Sequence, residues 1–158
     1  MRSNLLQNLF RTTTLLFSLL LAFTGSRLGA ADRSGQTVQL KLQTIIATND
    51  SDCTDPKLSG MKSQLQVFKY RCYRLLKEET RDVKWQTRAD FEIPGGRSLL
   101  VTPQNYQGNR TSLKMSLVGG DKPFLDTTVS LRNRGNFLSA GLAHEKGVLF
   151  ISIWATAE

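Results

Sequence analysis

The sequence predicts an α+β domain: a β-α-β start joined to an antiparallel β-meander of about six strands, closing as a sandwich or open barrel. One amphipathic helix and one disulfide complete it. Three observations predict this. From Val83 onward, apolar residues recur at every second position almost throughout. Turn signals such as Pro94-Gly95-Gly96, Gln107-Gly108-Asn109 and Asn133-Arg134-Gly135 punctuate that pattern, at the roughly 8–12-residue spacing of sandwiches and barrels. Only one stretch, Cys53 to Leu76, carries a helical period, and both cysteines of the chain sit at its edges.

The first strand is Val38–Ala47. Val38, Leu40 and Leu42 alternate with Gln39, Lys41 and Gln43, and Ile45, Ile46 and Ala47 follow, so the strand is half buried at first and more fully buried later. Asn49-Asp50-Ser51-Asp52 is a polar turn. In the helix, Leu58, Met61, Leu65 and Phe68 are spaced three, four and three apart, and Cys72 continues the series. This is one apolar stripe for packing on the protein's own sheet, with a partner's docking face as the alternative. Asp55-Pro56 is a start signal, because the Asp side chain accepts from free backbone N–H groups and Pro tolerates the first helical position.

Tyr70–Lys77 reads as the second strand. Val83, Trp85, Thr87, Ala89, Phe91 and Ile93 then share one face of a third. The remaining strands are Arg97–Thr102, Ser112–Leu117, Leu125–Leu131, Phe137–Leu142 and Val148–Trp154, with further turns at Gly119-Gly120-Asp121 and Glu145-Lys146-Gly147.

The chain has 158 residues and a formal net charge of +8, room for one domain. Residues 1–31 read as a signal peptide. Arg2 and Arg11 mark a positive region, Leu15–Phe23 is a short apolar run, and Gly29 and Ala31 suit cleavage before Asp32. An uncleaved anchor is the alternative, and the apolar run is short for a span of about 20 residues. Cleavage removes three arginines and leaves a mildly basic domain. Residues 32–37 form a flexible lead and 38–158 a single β-rich domain, placed in the periplasm or outside the cell.

In an exported chain Cys53 and Cys72 pair as a disulfide. A straight helix of about 14 residues spans near 20 Å. The bridge therefore requires the chain to double back around Asn49–Asp55 or Lys69–Arg71.

Catalytic, metal and cofactor chemistry find no pattern to rest on. His144 is the one histidine, a solvated turn residue unless orienting or metal-ligating partners gather around it. Asp90 and Glu92 share a face with Lys84, Gln86 and Arg88, which marks solvated surface rather than an acid/base pair. A basic stretch containing Lys69, Arg71, Arg74, Lys84 and Arg88 is laced with Phe68, Tyr70 and Tyr73. These residues read first as the solvated faces of two strands; as a binding face behind a signal peptide they suit an anionic envelope component rather than nucleic acid. Phe68, Trp85, Phe91 and Phe150 are candidate lining for an apolar pocket. Asn49-Asp50-Ser51 and Asn109-Arg110-Thr111 match the glycan acceptor pattern.

From Tyr73 to Ile153 the chain resembles small uncharacterised exported proteins of bacteria. The phrases that carry this are Tyr73-Arg74-Leu75-Leu76, Ile93-Pro94-Gly95-Gly96-Arg97, Leu125-Asp126-Thr127-Thr128-Val129 and Gly147-Val148-Leu149-Phe150-Ile151. The last two also resemble a hairpin of outer-membrane secretin channels, with Gly141 alone where that hairpin has a glycine pair. The resemblance implies a periplasmic home and brings no activity or site residues. The expected function is a non-catalytic envelope protein that binds or scaffolds another envelope protein or an anionic component, with no nucleic acid and no integral membrane segment once the signal is cut. A soluble carrier of an apolar ligand is the alternative, and a hydrolase a third.

Overall fold

The computed structural model describes residues 37–119 and 122–157, all within the compact unit Ser34–Glu158. The expectations for the signal peptide, for 32–36 of the lead and for the tip of the Gly119-Gly120-Asp121 turn lie outside the described residues. No described helix is long and apolar enough to cross a membrane.

The described residues form nine strands in two sheets. The strands are β1 (Thr37–Thr48), β2 (Cys53–Thr54), β3 (Cys72–Lys84), β4 (Ala89–Ile93), β5 (Arg97–Gln107), β6 (Arg110–Gly119), β7 (Lys122–Arg132), β8 (Gly135–His144) and β9 (Gly147–Ala157). The five-stranded sheet runs β2-β3-β1-β9-β8 and the four-stranded sheet runs β4-β5-β6-β7. Between the sheets lies the main core, with Val38, Leu40, Leu42, Phe91, Val101, Leu113 and Leu149 all sealed from solvent. Each such side chain contributes roughly 1.5–3 kcal/mol by leaving water. The architecture is β-sandwich-like, two sheets over one core.

The β-α-β start takes a different form from the one expected. A β-α-β unit joins parallel strands by a helical crossover, but β1 and β3 are antiparallel neighbours. The helical stretch is thus an excursion from a long hairpin. It is also shorter than its apolar stripe, comprising a 3-10 turn, Pro56–Met61, and one α-helical turn, α1 (Lys62–Leu65). Asp55 caps it as expected, Oδ1 accepting from the Lys57 N–H at 2.9 Å. Leu58, Met61 and Leu65 are buried on the outer face of the five-stranded sheet, with Ile45, Ala47, Tyr73 and Phe150 in a second core. The Phe68 ring meets Phe150 edge-on at 4.7 Å.

Tyr73 ends the helix and anchors it. Its hydroxyl shares its one proton between the carbonyls of Leu65 and Phe68, both at 2.9 Å, and burial raises its pKa above the ordinary tyrosine value. The chain then doubles back through 66–71 and delivers Cys72 beside Cys53. The two face each other across the parallel β2–β3 pair, Cα atoms 4.3 Å apart, and form the disulfide. Arg71 and Asp52 brace the same corner with paired bonds of 2.9 and 2.6 Å.

The long alternation from Val83 to Ile93 is two strands rather than one. The chain bends at 85–88, where Gln86 takes φ 62° and its N–H donates to the Pro103 carbonyl at 2.8 Å. β3 belongs to one sheet and β4 to the other. Val83, Ala89, Phe91 and Ile93 still reach the same core, because an even number of residues spans the bend. A second switch at Asn133-Arg134 divides the meander. The Asn133 side chain there accepts from the Ala157 N–H and donates to its carbonyl, both at 2.9 Å. β8 and β9 therefore return to β1 instead of extending the four-stranded sheet.

Candidate functional site

The sandwich has two open sides, and the sequence builds them from different chemistry. On one side the neighbouring edges are β4 and β3, which β2 covers only at Cys72 and Tyr73. The register of β3 against β1 shifts at Leu76, which has no partner between Leu75 and Lys77. This bulge exchanges the faces of β3. Before it, Tyr73 and Leu75 face the helical layer; after it, Lys77, Glu79 and Arg81 lie opposite Thr44, Leu42 and Leu40 and face the other sheet.

Those three charges form a ladder. Glu79 pairs with Lys77 at 3.1 Å and with Arg81, whose Nε donates to Oε1 at 2.5 Å. Arg81 also donates to the Asp90 carbonyl at 3.0 Å and lies 4.9 Å from the centre of the Phe91 ring. Burial pushes the Glu79 carboxyl up, but the bonds and charges of Arg81 and Lys77 outweigh it and hold the group below its ordinary value. Inward-pointing charges of this kind shield a sheet edge from other chains.

The opposite side is formed by β7 and β8. Here the inward residues are uncharged and incompletely covered: Leu125 and Val129 on β7 and Phe137 and Leu142 on β8 are half-buried against the main core, with Thr127 and Ser139 between them. β8 ends the five-stranded sheet. From Gly135 to Ala143 it contains no charged residue and no proline. By contrast β4 carries Asp90 and Glu92, β7 carries Lys122, Pro123, Asp126 and Arg132, and β3 is charged along most of its length. Charges and prolines are the usual guards of an edge; β8 has neither of its own, and its guards are one bulge at Gly141 and the bond from Arg97 Nη2 to the Ala143 carbonyl at 3.1 Å at its end.

Behind β8 the sheet is tied to its neighbours by side-chain bonds. Gln64 and Asn136 exchange side-chain amide bonds at 3.0 and 2.9 Å, and Asn136 donates to Ser152 Oγ at 3.2 Å. The β8–β9 turn is held close to β1: a Cβ on Gly147 would lie 2.5 Å from the Ala47 carbonyl oxygen. β8 has one bulge, between Ala140 and Leu142, where Gly141 takes φ 118°.

The residues singled out from the sequence do not converge. Arg71 lies before β3 and pairs with Asp52, while Arg88 lies in the bend and pairs with Asp90 at 2.9 Å. Arg74 faces the inter-sheet side opposite Ile46, and Lys84 faces the other side opposite Thr37, about 33 Å further along the strand at ~3.3 Å per residue. Lys69 is exposed in the return segment. The five cations make no common face.

The four aromatics do not share a cavity either. Phe91 and Trp85 belong to the core between the sheets, and Phe150 and Phe68 to the core beneath the helical turn. The five-stranded sheet separates the pairs.

His144 ends β8, 20% exposed, with Nε2 3.7 Å from Glu145. It lines a groove of about 520 Å3 with Ile46, Arg74, Leu76, Glu145 and Lys146. Asp90 and Glu92 flank the buried Phe91 on the outward face of β4. Among the described residues no three of His, Cys, Asp or Glu gather as metal ligands.

The β8 edge was the feature missed from the sequence. Its signal, an uncharged strand-length run, was present, but nothing in the run states which strand ends a sheet.

No family model matches the chain, and neither does any curated protein or solved structure.

Proposed function

We propose that this chain is an exported, non-catalytic envelope protein that binds another envelope protein by strand addition along β8. The observation that carries this reading is the uncharged edge: a strand of ten residues, free of charge up to Ala143, beside half-buried apolar side chains. An added strand gains main-chain hydrogen bonds along the edge and specificity from alternate side chains. The disulfide supports the location, because such bonds persist in oxidising compartments outside the cytosol. The carrier reading loses the shared aromatic cavity on which it depended.

The test is an affinity pull-down of the oxidised protein from its own cell envelope, compared with A140K/A143K and with C53S/C72S. Ala140 and Ala143 are exposed, so lysines there guard the edge without disturbing the core. A stoichiometric protein recovered by the parent and lost with A140K/A143K supports the proposal. Equal recovery by both rejects the edge as the binding surface, and recovery of lipid or small molecule alone rejects the binding module.

A further inference from the structure

The far end of the four-stranded sheet holds a pair of arginines that the fold leaves unbalanced. Gly108 and Asn109, at φ 58° and 61°, make a two-residue hairpin turn between β5 and β6, in which positive φ at both positions matches the strand twist. The turn sets Arg110 at the start of β6, directly opposite Arg132 at the end of β7. The next pair inward, Thr111 and Leu131, is buried. Alternation therefore places both arginines on the outer face. Directly opposed residues have Cβ atoms roughly 4.5–5.5 Å apart, and like charges there repel.

Among the described residues no carboxylate pairs with either guanidinium. Arg110 is nonetheless held in place: Nε donates to Ser130 Oγ at 2.9 Å and Nη2 to the Ser130 carbonyl at 2.6 Å. A concavity of about 380 Å3 opens beside the pair, lined by Gly108, Asn109, Arg110 and Arg132. Its wall is fixed. The Tyr106 hydroxyl donates to Asn109 Oδ1 at 3.0 Å, and the Asn133 N–H donates to the Asn109 carbonyl at 2.9 Å.

We propose that Arg110 and Arg132 form an anion site for a phosphate group, a phosphomonoester or phosphodiester held between the two guanidiniums. The planar guanidinium fork matches phosphate oxygens in bidentate fashion, and an anion between the arginines turns their repulsion into attraction. The site lies on the outer face of the other sheet from β8 and does not depend on strand addition.

The test uses the full, oxidised chain. Thermal unfolding is followed with inorganic phosphate and with chloride at matched ionic strength, for the parent, R132Q, R132E and K84Q. Phosphate is expected to raise the melting temperature of the parent and of K84Q by a few degrees, of R132Q by less than half as much, and of R132E not at all. In chloride, R132E is expected to melt above the parent, because it replaces an opposed like pair with an opposite one. An equal phosphate shift in R132Q, or none in the parent, overturns the proposal. Flotation with phosphatidylglycerol vesicles, against phosphatidylcholine, identifies the source. Binding that falls at least threefold in R132Q supports a lipid headgroup in the site. Vesicle binding unchanged by R132Q, together with the specific phosphate shift, supports a free or soluble phosphate compound.

Discussion

The two sides of the sandwich meet the same problem in opposite ways. Both are places where two sheet edges leave the core open. At β3/β4 a single bulge at Leu76 turns charged residues inward, and Lys77, Glu79 and Arg81 close the gap over Phe91. A disulfide and a bidentate ion pair brace the same edge strand at Cys72 and Arg71. At β7/β8 neither strand turns a charge inward, Arg97 of β5 reaches only the end of β8 at the Ala143 carbonyl, 3.1 Å away, and Leu125, Val129, Phe137 and Leu142 remain half-covered. The contrast is what the proposed strand addition rests on: one side is closed by its own charges, and the other leaves apolar side chains half-covered.

The largest effects should separate the two sides by burial. F91A removes a ring that is 0% exposed and should cost ~3–5 kcal/mol in urea unfolding. F137A, on the half-open side, should cost only ~1–2 kcal/mol, since much of its surface is already in water. Equal costs would mean the β7/β8 side is as closed as its opposite.

The disulfide comes next. C53S/C72S opens a loop with a separation of 19 and should lower stability by about 3 kcal/mol. The loss should appear in hydrogen exchange at β2 and the start of β3, with β8 unchanged. Tyr73→Phe, which strips two carbonyls of their donor, should cost ~1–2 kcal/mol in the same assay and loosen the helical turn without moving the disulfide.

The charge ladder predicts acid sensitivity on the guarded side. The Glu79 carboxyl in the folded chain sits below its ordinary value of 4.5. The unfolded chain therefore takes up its proton first as pH falls. The stability that Glu79 contributes is complete above the ordinary glutamate range and is lost as pH drops through the lower folded value. E79Q should flatten that acid limb of melting temperature against pH; an unchanged slope would show that the ladder does not hold the carboxylate.

The smallest effect is on stability at the uncharged edge. A140K/A143K changes two exposed positions and should shift stability by no more than ~0.5 kcal/mol, while removing association altogether. That split between stability and binding sharpens the contrast with β3.

Much of the sandwich was legible as alternation, because inward residues such as Leu40, Phe91, Leu113 and Leu149 announce themselves whichever sheet they join. The disulfide was legible from two cysteines flanking one helical stretch. Sheet membership was not. The bend at 85–88 keeps the two-residue period intact, and the turn at 133–134 reads like any hairpin turn, so neither shows which sheet the next strand joins. The bulge at Leu76 was hidden for the same reason: Leu75 and Leu76 are both apolar, and the face reversal shows only against the register of β1. The expected helix followed its stripe too far, since Phe68 stays on the apolar side after the helix has ended. The basic stretch looked continuous in sequence, yet β3 spreads it along its length and over both faces. Arg110 and Arg132 are distant in sequence, and only the β6–β7 register brings them opposite.

The central claim is that β8, and not β3, receives a partner strand. The most direct measurement places a photo-activated cross-linking side chain at Ala140 in one variant and at Thr80 in another, each exposed, and irradiates the oxidised protein in its own envelope. The account predicts one discrete protein adduct from position 140, abolished by A143K, and none from position 80. Adducts of equal yield from both positions, or from position 80 alone, would contradict it.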